Sequence, residues 1–357
     1  MTRLLSGDLP RSRVLSAMLL LIVLALACAP FVFPGARALN MAAKICIFVV
    51  LVASYDLLLG YTGIVSFAHT MFFGIGGYGV AIAMSRMEPG WGALLAGTAA
   101  ALALSALLAF LVGLFSLRVR AIFFAMITLA VATAFATLVS QWSEWTGGED
   151  GLSFKVPEAL RPGFSLDAEW FGVPLNGKLL SYYLVFAGAV VLFLLLLRIV
   201  NSPFGRVLQA IRENDFRAEA IGYRTVVFRT VSTVLSAIFA TMAGVLMALW
   251  LRYNGPDTSL SFEIMVDILL IVVIGGMGTL YGAVIGTTLF LLAQTYLQDV
   301  MKLASEATAS VPLLSGLLHP DRWLLWLGLL FILSVYYFPQ GVVGRLRGAG
   351  MAQDAAP

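Results

Sequence analysis

Three short stretches place residue types at spacings that carry chemistry in other proteins. Gly74, Gly76 and Gly79, inside "GIVSFAHTMFFGIGGYGVAIAM" (Gly63–Met84), satisfy the pattern G-x-G-x-x-G. After a strand and at the start of a helix, that pattern cradles a dinucleotide pyrophosphate, with an acid about 20 residues further on for the ribose. Here the preceding residues belong to an apolar segment and the nearest downstream acid is Glu88. The glycines therefore read as a close helix contact or a backbone break. "GVPLNGKL" (Gly172–Leu179) nearly spells a P-loop, but Leu179 stands where a hydroxyl would hold magnesium. The two histidines, His69 and His319, are too far apart in sequence to suggest a metal site. No metal and no cofactor is expected on this chain; if ATP drives it, another subunit binds the nucleotide.

Tyr55-Asp56 together with Asp267 resembles the start of an intramembrane aspartyl protease. The second motif of that family, Gly-x-Gly-Asp, is absent, because Asp267 follows Met265-Val266. No catalytic residue is assigned and the chain reads as non-enzymatic. What survives is cost: an ionisable group inside an apolar span needs a partner or a water-filled path. Asp56, Asp267 and His69 thus have two readings, hydrogen bonds that set helix packing or the lining of a solute path. Gly278, Gly282 and Gly286 recur every fourth residue, a face on which another helix can approach closely.

The elements that must position these residues are membrane spans. Of 357 residues, 61% are hydrophobic and only 11% charged, and the mean hydropathy is +0.96. A soluble domain carries about 25% charged residues, so no water-facing surface can be assembled from this composition. The net charge of +3 gives no reason to expect nucleic acid. Cys28 and Cys46 fall in apolar segments and read as packed thiols. The expected class is an all-α polytopic membrane protein. Seven segments are long and apolar: Val14–Phe33, Met41–Leu59, Trp91–Phe115, Ala121–Ser140, Leu179–Leu197, Thr230–Leu251 and Trp323–Phe338. Three more are interrupted: Ile64–Met84, Glu263–Leu280 and Gly282–Leu297. That gives about ten transmembrane helices, with eight plus a re-entrant pair as the alternative.

Lysine and arginine orient the chain, because cytoplasmic segments carry the excess. With both termini inside, the inner segments hold 13 of the 22 basic residues: Arg3, Arg11, Arg13, Arg118, Arg120, Arg198, Arg206, Arg212, Arg217, Arg224, Arg229, Arg345 and Arg347. A single permease domain over 1–345, with a C-terminal tail over 346–357, then has two long loops. Residues 141–178 form an outer, acidic loop that packs as a small cap. Residues 201–228 form an inner loop in which Ser202-Pro203 is an N-cap followed by proline at the first helical position. Phe204, Val207, Leu208 and Ile211 follow at helical spacing, with Arg206, Gln209, Arg212 and Glu213 opposite, an amphipathic helix against the membrane or a partner. A second turn runs through Phe216, Ala220 and Ile221, and Gly222 ends it.

Five blocks in order then match a family: Leu57–Gly79, Leu117–Ala130, Trp145–Leu152, Ser202–Arg224 and Phe262–Gly286. The chain resembles the inner-membrane permeases of bacterial branched-chain amino-acid ABC importers, of the LivM type. That resemblance implies an ABC importer permease fold, a bacterial inner-membrane location and a second, LivH-like permease. It also implies two cytoplasmic ABC ATPases and a periplasmic solute-binding protein that supplies a hydrophobic amino acid. Related permeases move urea, short amides or aromatic acids; a stand-alone secondary transporter is the rival class. By the same resemblance Arg206, Arg212, Glu213, Arg217, Glu219, Ala220 and Gly222 form the segment that couples to the ATPases. Ser66 and His69 join Asp56 and Asp267 as candidates for the translocation path. Gly74, Gly76, Gly77 and Gly79 are expected as a bent segment that lines or seals it.

Overall fold

The computed structural model describes residues 13–32, 35–115, 121–170, 173–307, 317–338 and 341–344. Arg3, Arg11, Arg118, Arg120, Arg345, Arg347, Gly172 and the tail 346–357 lie outside the described residues. The chain forms two compact units, the first centred on Leu26–Ile268 and the second on Pro10–Ala25 with Leu269 onward. Each of the ten apolar segments carries a helix. Among the described residues, nine helical segments are long and apolar enough to cross a membrane.

The first unit begins in the last turns of α1 (Arg13–Val32), which contain Pro30. Proline has no N–H, so the carbonyl of Leu26 loses its intrahelical donor. The Tyr182 hydroxyl replaces that donor at 2.5 Å, and Tyr183 donates to Ala27 O at 2.9 Å. No water is at hand in a bilayer core for such a carbonyl. Tyr182→Phe is therefore expected to cost about 1–3 kcal/mol, the penalty of a buried acceptor left bare. A lowered melting temperature in detergent, with Tyr183→Phe shifting it less, would check this.

Helices α2 (Ala36–Thr62), α3 (His69–Arg86), α4 (Trp91–Phe115) and α5 (Ala121–Gln141) follow. The short α6 (Ser143–Thr146) opens the outer loop. In that loop β1 (Leu152–Ser153) comes first, and β2 (Ser165–Trp170) pairs with β3 (Val173–Asn176) as an antiparallel hairpin. Helix α7 (Gly177–Val200) leads to α8 (Pro203–Glu213) and α9 (Asp215–Ala220), and α10 (Thr225–Leu251) returns. Next, β4 (Tyr253–Asn254) pairs antiparallel with β1, tying the outer loop to the end of α10. The loop is a cap: Phe154, Val156 and Leu160 pack with Val80, Met84, Leu94 and Leu249 of the bundle. A single turn, α11 (Pro256–Ser259), precedes α12 (Phe262–Gly275).

At the centre, α10 packs on α2, α3 and α4. Its hydroxyls reach across: Ser232 to Thr62 at 3.0 Å, Ser236 to the Ser54 carbonyl at 2.5 Å, and Thr241 to Ser105 at 2.7 Å. Polar bridges of this kind, with small residues, hold helices where lipid supplies no hydrophobic drive. Helix α3 is not among the nine long apolar segments. Its histidine, threonine and glycines dilute its hydropathy, and its side chains are almost all buried in protein rather than turned to lipid.

The second unit holds the rest of α12, α13 (Leu280–Ala307) and α14 (Trp323–Tyr337). Leu15, Ile285 and Val343 form its core. Gly282 and Gly286 of α13 lie on Gly275 and the Ile271 carbonyl of α12. Gly278 stands apart from them, in the turn between the helices with φ 80°.

Candidate functional site

The glycines were expected as a bent segment, and they do not interrupt the helix. Helix α3 runs unbroken through Gly74, Gly76, Gly77 and Gly79. The break comes earlier, over residues 63–68, between α2 and α3. Gly63 stops α2 in the left-handed region at φ 73°, its N–H closing the 6→1 bond to Leu58 O, and Ile64 N–H donates to the same carbonyl at 3.1 Å. The non-helical link is then held by side chains. Phe67 N–H donates to Thr128 Oγ1 of α5 at 3.0 Å, and Ala68 N–H donates to Ser66 Oγ at 3.3 Å. Irregular backbone at membrane depth is tolerated where protein satisfies it in this way.

His69 opens α3 and is 1% exposed. Ser54 Oγ donates to Leu51 O at 2.7 Å, so His69 Nε2, 2.8 Å from that oxygen, is the donor to it. The Tyr55 ring meets the imidazole edge-on at 5.1 Å. Asp56 and Ser66 are equally buried. Asp267 of α12 interacts electrostatically with Lys44 of α2, a pairing of membrane charges that the apolar run around Lys44 concealed. The glycines of α3 are contact points. Gly76 lies on the Thr241 carbonyl of α10 and Gly244 of α10 lies on the Phe73 carbonyl. Gly77 abuts Asn254, Gly74 abuts Leu260, and Gly79 faces the Gly97 carbonyl of α4.

The basic segment folds as its spacing dictates. Ser202 Oγ accepts from Gly205 N–H, Pro203 is in the first turn of α8, and Leu208 and Ile211 are buried. That apolar face packs on the protein's own α2, α7 and α10 rather than on lipid. Asn214 Oδ1 caps α9 by accepting from Arg217 N–H at 3.0 Å, and Gly222 ends the turn at φ 95°. Two side chains brace α9 to α10: Thr225 donates to Glu219 Oε1 at 2.7 Å, and Asp215 pairs with Arg229 at 3.0 Å. Arg212 donates to the carbonyl of Gly60 in the last turn of α2. Arg206, Arg212, Glu213, Arg217, Glu219, Ala220 and Gly222 are all exposed. So are the two large apolar residues of the second turn, Phe216 at 86% and Ile221 at 71%.

A cleft of about 520 Å³ opens elsewhere in the first unit, between α5 and the α11–α12 corner. None of Asp56, Ser66, His69 or Asp267 lines it; Phe67 and Thr70 do, beside Thr133, Thr137 and Ser140 of α5. The signal for that wall was present in the sequence. Three hydroxyls at steps of four and three share one face of a helix whose mean hydropathy hides them.

A model of the family described as "Branched-chain amino acid transport system / permease component" matches residues 37–335. The chain belongs to this family. Its similarity to curated permeases extends over most of its length. To the high-affinity branched-chain amino acid transport system permease protein LivM of Salmonella typhimurium it is 26% identical over 326 residues, which is 87% of this chain and 71% of the relative. To the LivM of Escherichia coli it is 26% identical over 343 residues, 92% of this chain and 74% of the relative. A probable LivM of Methanocaldococcus jannaschii is 25% identical over 249 residues, 68% of this chain and 67% of the relative. No solved structure matches the chain significantly. The permease is a multi-pass membrane protein of LivM type, and the five blocks read from the sequence belonged to that family.

Proposed function

We propose that this permease is the transmembrane subunit of an ATP-driven importer of branched-chain amino acids, non-catalytic itself. It works with a second, LivH-like permease, two cytoplasmic ABC ATPases and a periplasmic binding protein in a bacterial inner membrane, with both termini cytoplasmic. The observation that carries the reading is the α8–α9 segment. Its inner face is anchored to the bundle through Leu208, Ile211 and Arg212, while Arg206, Phe216, Arg217 and Ile221 are turned outward. A segment so built transmits displacement from a partner to the helices, which then shift between two arrangements. It lies at the opposite end of α7 and α10 from the cap, as the basic-residue bias requires for an inner loop.

The decisive experiment is reconstitution of this chain with its companion subunits in vesicles. Leucine accumulation is expected only when the ATPases, the binding protein and ATP are all present. Accumulation by this chain alone under an ion gradient would replace the reading with a secondary transporter. Accumulation of urea, short amides or aromatic acids in place of leucine would keep the architecture and change the cargo.

A further inference from the structure

The cleft beside α5 has no part in the packing node around His69. It is graded in chemistry. At its floor, Thr70 is 3% exposed, and its hydroxyl makes no hydrogen bond among the described residues. One wall is the hydroxyl stripe Thr133, Thr137 and Ser140, on a helix otherwise faced with Ile122, Phe123, Met126 and Leu138. Apolar surface comes from Phe67, Leu129, Leu260 and Phe262, with the Phe67 and Phe262 rings 6.3 Å apart. Glu149 and Asp257 also line it, both exposed, one from the cap and one from α11.

A lipid tail suits only the apolar part of this surface and leaves two carboxylates and a buried hydroxyl unanswered. A small zwitterion with an aliphatic side chain suits all of it, since pockets are mostly apolar with a few placed polar groups that fix orientation. Resting on the importer reading above, we infer that this cleft is the half-site where the permease takes up its cargo, an amino acid. The ammonium group faces Asp257 and Glu149, the carboxylate reaches the hydroxyls of Thr70 and Ser261, and the side chain lies on Phe67, Leu129 and Phe262. Ser261 is suited to this place, because its oxygen caps α12 by accepting from Ile264 N–H at 3.4 Å, which fixes its rotamer beside the first turn of that helix.

The test uses the complete transporter in its native host, with Cys28→Ser and Cys46→Ala in this chain. Thr137→Cys is expected to react with a charged, membrane-impermeant thiosulfonate. Leucine at saturating concentration should slow that reaction, and modification should stop leucine uptake. Leu138→Cys, one residue on and turned to an apolar groove, should not react. Thr70→Val should lower the maximal uptake rate about fivefold, the loss of one neutral hydrogen bond in the translocation step. Failure of Thr137→Cys to react, or modification that leaves uptake intact, overturns the cleft assignment and leaves the importer reading standing. Leucine uptake in the host that does not depend on this chain, with Thr137→Cys still reactive, overturns the importer reading instead.

Discussion

Gly76→Val is expected to destroy the fold of the first unit. A Cβ at Gly76 falls onto the Thr241 carbonyl of α10, and the carbon behind that oxygen would be 2.8 Å away. Backbone cannot move aside as a flexible side chain does, and α3 is also packed against α4 at Gly79 and Gly97. Helix α10 is held in turn, because its own Gly244 lies on the Phe73 carbonyl. Relief therefore requires two helices to part, and we expect a loss of about 3 kcal/mol or more, at the upper end for overpacking. Gly92→Val is the control: it sits in α4 with nothing within 4 Å of an added Cβ. That variant should match the wild type, since valine is no worse a helix former than glycine. Thermal unfolding in detergent separates the two, and an unchanged melting temperature for Gly76→Val would refute the close-contact account.

The second large effect is expected outside the bilayer. Phe216 is an exposed apolar side chain on a short, capped and braced helix and Ile221 another at its C-cap, with the exposed Arg217 and Arg224 close by in sequence. Large apolar anchors ringed by polar residues dominate the energetics of protein interfaces. On the importer reading proposed above, the double variant Phe216→Ala, Ile221→Ala should weaken association with the ATPase subunits about 100-fold, the effect of removing two central anchors. Leucine uptake should fall with it, while the melting temperature of the isolated permease stays unchanged because neither side chain is buried. Glu219→Ala is a less clean probe, since it also removes the acceptor of Thr225. Wild-type copurification of the ATPases with the double variant would show that the contact lies elsewhere.

Nine of the described helical segments were legible because they are long apolar runs, and such runs have few structural solutions in a bilayer. The capped α8 was legible too, since Ser202, Pro203, Leu208 and Ile211 combine a start signal with a period. The place of the break in the interrupted helix was not. Four glycines between Gly74 and Gly79 suggested a bend, yet in protein surroundings glycine serves equally as a flat surface for a neighbouring backbone. The real stop, Gly63, looks weaker on paper and is decided by a backbone bond back to Leu58 and by the bond from Phe67 N–H to Thr128, 61 residues beyond Phe67 along the chain. Position 278 was misplaced for a related reason: a repeat of four residues describes a face only where the helix has already begun. The outward turn of Phe216 and Ile221 escaped because apolar character predicts burial only against the chain's own partners. The hydroxyl wall of α5 escaped because averaging over a span erases a stripe of three residues.

Arg212 binds the Gly60 carbonyl, and its Cγ lies 3.3 Å from where a Cβ on Gly63 would stand. The grip falls three residues before the point where α2 gives way to the non-helical link. A tug on α8 reaches the end of α2 through that bond and through the packing of α8 on α2. Four residues beyond Gly63, through the bond of Phe67 N–H to Thr128, the same link is pinned to α5, the helix that carries the hydroxyl wall. A movement begun in the water on one side thus arrives beside the cleft without crossing the rest of the bundle.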